Sequence, residues 1–341
     1  MFVYRREQQV EIWTPAKLNL HLELLAKRAD GFHELETVMT AISLYDTLRV
    51  WPGVESDRQW DRKSAAPKTN TFSADAVQFR VRRCDTMLSS ANARDAREPD
   101  HIPTGTDNLV LRAYQLICET AGRELRGRIE LHKRIPSAAG LGGASSDAAA
   151  MLVAANVAWN LRWSFDRLLT LAAKLGSDVP FFLGIVGLGA GAAVCRGRGE
   201  ILEPYRGLTR CHFVLVRPPQ GLSTADVYRR CCVPGSPTQL TAWFTSERIS
   251  ASQLGRLLLN RLQPAASELT PWINRLAGQF TRLQLLGHQM SGSGTCYFGV
   301  ASNASHARRA VRKLHATGMG RAFHAWNITS PKGWVAAPSR N

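Results

Sequence analysis

The chain has 341 residues, of which 45% are hydrophobic and 21% are charged. These fractions are typical of globular proteins and exclude a disordered chain, a collagen-like chain and a small disulfide-rich scaffold. The formal net charge of +16 at pH 7 favours anionic partners such as nucleic acid, an anionic membrane surface or phosphorylated small molecules. At about 150 residues per domain, the length predicts two domains.

Cysteine usage and apolar runs indicate where the protein works. The seven cysteines form no C-x-x-C pair, which favours free thiols in a reducing compartment over a zinc site or a disulfide framework. Residues 1–13 lack the apolar core of a signal peptide. The longest apolar run, 179–195, is interrupted by glycines and is shorter than the ~20 residues of a membrane span. We therefore expect a cytoplasmic protein without membrane association.

The first predicted elements are two strands. Between Lys17 and Leu24, leucines at every second position alternate with polar residues, which predicts a strand with one buried and one polar face. A turn at Asp30 and Gly31 separates it from a second strand over 42–51. The polar, proline-containing segment 52–107 is predicted to be a loop or a β-rich excursion of the first domain.

Helices and strands alternate through the rest of the chain. Thr106 and Asp107 are predicted to cap a helix that starts at Asn108 and ends at Gly122. The later predicted elements are a strand over 128–134, helices over 145–159 and between 164 and 176, a strand over 211–217, helices near 253–262 and 271–280, a strand over 295–300, a helix over 304–316 and a loose tail over 331–341. Because no long parallel βαβ series is present, the pattern predicts an α+β fold with two domains, 1–162 and 163–330.

The strongest chemical signal is the glycine-rich turn between Gly140 and Ser146. Glycines let backbone N–H groups approach an anion closely, and the turn opens a helix whose N-terminus adds unpaired donors and partial positive charge. Ser145 and Ser146 add hydroxyls that can bind phosphate oxygens. A tight strand-to-helix connection capped by serines explains the same residues equally well. No G-K-[ST] or G-x-G-x-x-G sequence is present, so a Walker A loop and a classical dinucleotide site lose support.

Other positions carry candidate chemistry, each with a structural alternative. Asp178 can accept the proton of an attacking hydroxyl, or can cap a helix. Lys17 can stabilise developing negative charge, or can be a solvated strand lysine. Phe32 and His33 can stack on a planar base and bind its edge, or can fold onto the core. The turn at 291–294 can supply further N–H donors beside the first turn, or can be an ordinary hairpin connection.

Positive charge is concentrated in the C-terminal part of the chain. No acidic residue follows Glu268, whereas Arg308, Arg309, Arg312 and Lys313 lie along the last predicted helix. This pattern fits an anion-binding or RNA-binding face, and a solvated helix face is the simpler interpretation. The interleaved aromatic residues that single-strand binders use are absent from this region.

Six sequence blocks stand in an order that is found in a known kinase family. The blocks are PAKLNL (15–20), RADGFHEL (28–35), PSAAGLGGASS (136–146), LGSDVPFF (175–182), GRGE (197–200) and MSGSG (290–294). The chain resembles the 4-diphosphocytidyl-2-C-methyl-D-erythritol kinases, which belong to the superfamily of galactokinase, homoserine kinase, mevalonate kinase and phosphomevalonate kinase. The glycine-serine block alone indicates only the superfamily, whereas the block at 28–35 is specific to this member.

The resemblance implies a fold and an activity. The fold would have two α+β lobes, an N-terminal lobe that binds ATP and a C-terminal lobe that binds substrate, with the active site in the cleft between them. The activity would be ATP-dependent phosphorylation of a hydroxyl of 4-diphosphocytidyl-2-C-methyl-D-erythritol in non-mevalonate isoprenoid biosynthesis, with Mg²⁺ accompanying the nucleotide. The implied partners are small molecules, with neither nucleic acid nor a membrane, and the protein would be a monomer or a homodimer. The alternatives are another kinase of this superfamily or, more remotely, a basic RNA-binding protein.

Residue roles follow from the resemblance position by position. Asp178 would accept the proton of the substrate hydroxyl, and Lys17 would orient that pair. Asn19 would lie near the reacting end of the substrate. Phe32 would stack on the cytosine, and His33 would bind its edge.

The nucleotide is expected to meet a longer set of residues. Asn108 and Lys133 would approach it, and its phosphates would be held by Pro136, Ser137, Ala138, Ala139, Gly140, Leu141, Gly142, Gly143, Ala144, Ser145 and Ser146. The chain departs from the family pattern at Val194, where many relatives carry a second aromatic residue beside the cytosine. It also has Ala144 where a further glycine is common.

Overall fold

A computed structural model describes residues 1–6, 8–53, 77–83, 102–238, 243–246 and 248–329. Its strands are β1 (Phe2–Arg6), β2 (Gln9–Lys27), β3 (His33–Pro52), β4 (Val77–Arg83), β5 (Gly127–Lys133), β6 (Ala192–Gly197), β7 (Ile201–Tyr205), β8 (His212–Arg217), β9 (Leu259–Asn260), β10 (Gly287–Met290), β11 (Tyr297–Ala301) and β12 (Arg321–Trp326). Its helices are α1 (Leu109–Ala121), α2 (Gly143–Ala158), α3 (Phe165–Leu175), α4 (Val179–Gly187), α5 (Thr224–Arg230), α6 (Trp243–Ser246), α7 (Ala251–Leu257), α8 (Gln263–Leu269), α9 (Trp272–Arg282) and α10 (Ala304–Ala316). Within these ranges, no helix is both long enough and apolar enough to cross a membrane.

Two long antiparallel strands form the centre of the first sheet. β2 and β3 pair along most of their length, with register shifts at three points. β3 pairs with β5 toward one end and with β6 toward the other, so the order is β1-β2-β3-β5-β4 with β6 and β7 alongside. The alternating leucines correctly predicted a strand here, but the polar face of β2 is buried as well: Lys17 is only 4% exposed. Buried polar groups need partners, and those of β2 turn out to belong to the site described below.

Helices cover the first sheet around one hydrophobic core. The alanines of α2 let it pack closely against β2, β3, α1 and α4, and the middle of the helix is buried on all sides. α3 and α4 contribute to the same core, and β6 and β7 extend the same sheet. β6, β7 and β9, which all follow residue 162, thus belong to the first sheet, and the division into domains 1–162 and 163–330 stays a prediction.

The second sheet is antiparallel and has the order β10-β11-β8-β12. One face, which includes Val214, packs against helices of the C-terminal part, including α9 and α10. The other face, which includes Phe213 and Phe298, shares a core with Leu18 and Leu20 of β2. The alternating leucines of β2 therefore join the two sheets, and the predicted α+β class is confirmed.

Two local predictions need correction. α1 is capped by Asn108, whose Oδ1 accepts from the Val110 N–H at 2.9 Å, rather than by Thr106 and Asp107. α7 ends at Leu257 instead of residue 262, because β9 follows it and pairs in parallel with β2. In segment 52–107, β4 lies parallel beside β5, whereas 54–76, 84–101 and the predicted tail lie outside the described residues.

Candidate active site

The glycine-rich turn runs from β5 into α2 and requires its glycines. Gly140 and Gly142 both have φ +70°, a left-handed conformation that favours glycine. A Cβ on Gly140 would lie 1.9 Å from the Ser291 carbonyl oxygen, and one on Gly142 would lie 2.8 Å from the Phe182 ring. Ser291 Oγ also donates to the Gly140 carbonyl oxygen at 3.0 Å. The turn at 291–294 thus packs against the glycine-rich turn. It connects β10 and β11 of the second sheet, so this contact joins the second sheet to the turn that follows β5 of the first sheet.

A cavity of about 420 Å³ lies against the glycine-rich turn. Its size falls within the range of small-molecule sites, roughly 300–1,000 Å³. The side chains of Pro103, Leu109 and Leu131 contribute apolar surface, while the turn contributes the N-terminus of α2 with its unpaired N–H groups. Residues 136–145 line the cavity, and so do the two residues predicted to approach the nucleotide, Asn108 and Lys133.

Ser146 lies elsewhere than predicted. Its side chain is fully buried and does not line the cavity. The hydroxyl donates to the Pro15 carbonyl oxygen at 2.6 Å and contacts Thr14 Oγ1. Because Ser146 faces β2, its hydroxyl ties the first turn of α2 to that strand and is not available to a phosphate. Ser145 remains at the cavity.

An ammonium and a carboxylate meet beside the same turn. Lys17 Nζ lies 3.3 Å from Asp178 Oδ2 and donates to Asn19 Oδ1 at 2.6 Å. The Lys17 N–H donates to the Leu141 carbonyl oxygen at 2.9 Å, so β2 is bonded directly to the glycine-rich turn. Asp178 precedes α4, but its side chain makes no capping hydrogen bond. The solvated alternative for Lys17 is therefore wrong, whereas Asp178 stands at the N-cap position of α4, as its alternative expected, but without the capping bond.

Phe32 and His33, the residues predicted to meet a base, each lie beside another side chain. Phe32 is 51% exposed, and the Arg198 guanidinium lies 4.9 Å from its ring centroid. The His33 ring lies 5.3 Å from that of Tyr228, at an interplanar angle of 36°. Burial, followed by the nearby carboxylate of Asp178, raises the pKa of Tyr228. Arg198, which lies over Phe32, is followed by Gly199, where a Cβ would lie 4.0 Å from Asp178 Oδ1, so the segment 198–199 links the two regions.

Comparison with known proteins decides the family. The family described as "GHMP kinases N terminal domain" matches residues 108–184, and "GHMP kinases C terminal" matches residues 246–318. A 4-diphosphocytidyl-2-C-methyl-D-erythritol kinase of Pelotomaculum thermopropionicum is 35% identical over 305 residues, which cover 89% of this chain and 92% of the relative. The chain belongs to this kinase family.

Further relatives agree with this assignment and confirm the resemblance in the sequence. The 4-diphosphocytidyl-2-C-methyl-D-erythritol kinase of Rhodopirellula baltica is 36% identical over 329 residues, covering 91% of this chain and 92% of the relative. A crystal structure of a 4-(cytidine 5'-diphospho)-2C-methyl-D-erythritol kinase superposes with TM-score 0.69 at 33% identity, covering 93% of this chain and 99% of that one. Homoserine kinase from Cytophaga hutchinsonii, at 17% identity and TM-score 0.65, shares the fold.

The kinase carries a buried ion cluster behind its cavity that sequence reasoning missed. Lys133 Nζ contacts Asp46 and donates to Asp147 Oδ2 at 2.7 Å. Asp46 also accepts from the backbone N–H groups of Arg134 and Ile135, at 2.5 and 2.9 Å. The cluster joins β3, β5 and α2 at the point where the glycine-rich turn begins, so it holds the ends of that turn in place.

Two further residues of the kinase were missed because their elements carry weak local signals. Tyr228 lies on the seven-residue helix α5, whose Ser223 cap was the available sign. Arg198 lies in the GRGE block. A Cβ added to the next residue, Gly199, would lie 4.0 Å from Asp178 Oδ1. Val194 is fully buried in β6 opposite Val38, so its side chain packs in the core. An aromatic ring beside His33 is supplied by Tyr228 instead.

Proposed function

We propose that this kinase transfers the terminal phosphoryl group of ATP to a hydroxyl of 4-diphosphocytidyl-2-C-methyl-D-erythritol, a step of non-mevalonate isoprenoid precursor biosynthesis. Family membership supports the substrate class. The observation that carries the assignment is the 3.3 Å contact between Lys17 and Asp178, next to a turn that is built to hold an anion. Phosphoryl transfer requires positioning and charge stabilisation more than covalent help from the protein, and this arrangement offers both.

The proposed reaction assigns each group one task. The substrate oxygen attacks the terminal phosphorus, the bond from that phosphorus to the bridging oxygen breaks, and ADP leaves. Asp178 accepts the proton of the hydroxyl as this happens. The Lys17 ammonium, held by Asn19, keeps Asp178 in place and stabilises negative charge that develops at the reacting oxygens. Backbone N–H groups of the turn and the N-terminus of α2 hold the ATP phosphates.

Mg²⁺ is compatible with this site as a companion of the nucleotide. The described residues contain no group of three or more His, Cys, Asp or Glu side chains that could hold a metal by themselves. Mg²⁺ commonly keeps several waters and binds substrate phosphates, so a dedicated protein cage is not required. When bound, it would neutralise phosphate charge. The Mg²⁺ requirement, the cytoplasmic location and the monomeric or homodimeric state remain predictions from the sequence.

The substrate assignment is tested by comparing acceptors. Purified protein with ATP and Mg²⁺ is assayed on the cytidylated substrate, on mevalonate and on homoserine. We expect kcat/KM to be highest for the cytidylated substrate, because Phe32, His33 and Tyr228 offer a base-binding surface that the other two acceptors have no group to use. A higher kcat/KM for mevalonate or homoserine would reject the proposal.

If Phe32 stacks on the cytosine, truncation of its side chain should weaken binding of the cytidylated substrate but not of ATP. Phe32→Ala should raise KM for the cytidylated substrate about 5- to 150-fold, since stacking on one base contributes roughly 1–3 kcal/mol. The KM for ATP should change little, because Phe32 does not line the cavity. Trp326→Ala is the matched control, since Trp326 is also an exposed ring with an arginine above it, on the far strand β12. Equal increases in both KM values for Phe32→Ala would contradict the platform.

A further inference from the structure

An arginine at the turn between β6 and β7 has no role in the mechanism described so far. The guanidinium of Arg198 lies 4.9 Å from the centroid of the Phe32 ring, and Phe32 remains 51% exposed beside it. At the next residue, Gly199, a Cβ would lie 3.6 Å from the Ser177 carbonyl oxygen and 4.0 Å from Asp178 Oδ1. The side chain of Arg198 therefore leads from the neighbourhood of the proposed proton acceptor to the ring proposed to hold the base.

Two neighbouring arginines are already engaged in short ion pairs. Arg28 donates to Glu34 at 2.7 Å and to Asp30 at 3.1 Å. Asp30 also accepts from the Phe32 N–H at 3.1 Å, so Arg28 helps to hold the loop that carries the ring. Arg196 donates at 2.8 Å to each of two glutamates, one on β3 and one on β7. These contacts keep both guanidinium groups away from an incoming anion.

Arg198 is held more loosely. Its side chain is 31% exposed, and its Nε lies 3.8 Å from Glu200 Oε1, the shortest ion contact that Arg198 makes with the described residues. The backbone N–H of Arg198 donates to Glu200 Oε2 at 2.6 Å, so Glu200 fixes the main chain of the turn rather than the guanidinium. A guanidinium presents a planar fork of N–H donors that matches the geometry of a phosphate. The N–H donors of Arg198 are thus available to a ligand.

The proposed acceptor carries its phosphates between the two groups that the site receives. With the cytosine on Phe32 and the reacting hydroxyl at Asp178, the diphosphate that links them passes along the side chain of Arg198. The carboxylates of this region would repel an ionised diphosphate unless a positive group faced it. Arg198 is placed to be that group.

We propose that Arg198 binds the diphosphate of the acceptor and thereby selects acceptors in which phosphate is joined to the base-bearing sugar. The inference rests on the proposed function. Charge-assisted hydrogen bonds to the phosphates are stronger than the 3.8 Å contact with Glu200, so the guanidinium exchanges one for the other as the acceptor binds. Because these phosphates are not transferred, Arg198 contributes to binding of the acceptor and not to the chemical step.

Competition by CDP and by cytidine measures what the phosphates contribute. Both inhibition constants are determined against the cytidylated substrate at saturating ATP, so that CDP competes for the acceptor site and not for the ATP site. Arg198→Met, which keeps an apolar side chain beside Phe32, should raise the inhibition constant of CDP at least about 10-fold, the loss expected when a charged hydrogen-bond partner is removed. The constant for cytidine should stay nearly unchanged. KM for the cytidylated substrate should rise with that for CDP, while kcat changes little.

Two further variants serve as controls. Arg198→Lys should recover part of the CDP affinity, since it keeps the charge without the planar fork. Arg210→Met is the matched control, because the Arg210 guanidinium also lies over an exposed ring, that of Trp326 at 6.0 Å, on the far strand β12. It should leave both inhibition constants unchanged.

The outcomes separate this inference from the proposed function. Equal increases for CDP and cytidine in Arg198→Met would show that the arginine supports the base instead of the phosphates, and an unchanged constant for CDP would show no contact; either result overturns the proposal. So does a wild-type protein that binds CDP no more tightly than cytidine, a comparison that needs no variant to fold. Preferred turnover of mevalonate or homoserine by the wild-type protein would instead refute the proposed function.

Discussion

Asp178→Asn should lower kcat by about 10²–10⁴-fold, the usual contribution of a positioned general base. The amide keeps the shape of the side chain but cannot accept the hydroxyl proton. Affinity for ATP should stay nearly unchanged, because Asp178 does not line the cavity proposed for the nucleotide. The measurements are kcat with the cytidylated substrate and, separately, ADP affinity by titration.

Asp166→Asn is the control for this experiment. Asp166 is an exposed carboxylate in the first turn of α3, near Asp178 in sequence but outside the site. Its replacement should leave kcat unchanged. Since Asp178 is 33% exposed, its conversion to asparagine should not prevent folding. An unaltered kcat in Asp178→Asn would remove this residue from the proposed mechanism.

Lys17→Met should lower kcat by about 10²–10³-fold, the usual loss when one preorganised electrostatic group of a site is removed. The methionine keeps most of the length and apolar packing of the lysine but removes the charge that binds Asp178 and Asn19. ADP affinity, measured as before, should fall less than kcat, because the main-chain bond from Lys17 to Leu141 is retained. Lys174→Met, at an exposed position of α3, is the matched control.

The double variant Lys17→Met with Asp178→Asn tests whether the two residues act as one unit. If they do, the kcat of the double variant should be no lower than that of the single variant with the lower kcat. The reason is that removal of one member of a unit already removes the effect of the other. If the fold-decrease in kcat of the double variant equals the product of the two single fold-decreases, the residues contribute independently. That result would contradict the proposed role of Lys17 in holding Asp178.

Several parts of the site were predictable because their signals are local. The glycine-rich turn is marked by its own composition, since only glycine tolerates both φ +70° and the approach of Ser291 at Gly140. The alternation of β2 is visible in eight consecutive residues, and the cap and end of α10 can be read from its flanking residues. The predicted range of that helix, 304–316, agrees with the structure.

Other parts could not be predicted because they depend on which faces pack together. Ser146 and Ser145 are adjacent and chemically identical, and only the docking of α2 on β2 turns one into an anchor and leaves the other at the cavity. Asp46 and Asp147 lie in elements far apart in sequence and carry no motif of their own. The place of β6, β7 and β9 in the first sheet likewise follows from strand pairing, which local periodicity does not record.

The sequence by itself determined the family, the α+β class and the presence of a glycine-rich turn before α2, because residue spacing and short motifs are local properties of the chain. Only the tertiary structure decided that the ammonium of Lys17 meets the carboxylate of Asp178 and that Lys133 shares its charge between two buried acids. These contacts join β2 to the start of α4, and β3 and β5 to α2. They form because the packing of the helices on the first sheet brings segments that are distant in the chain together, and no pattern within one segment records which distant partner will be there.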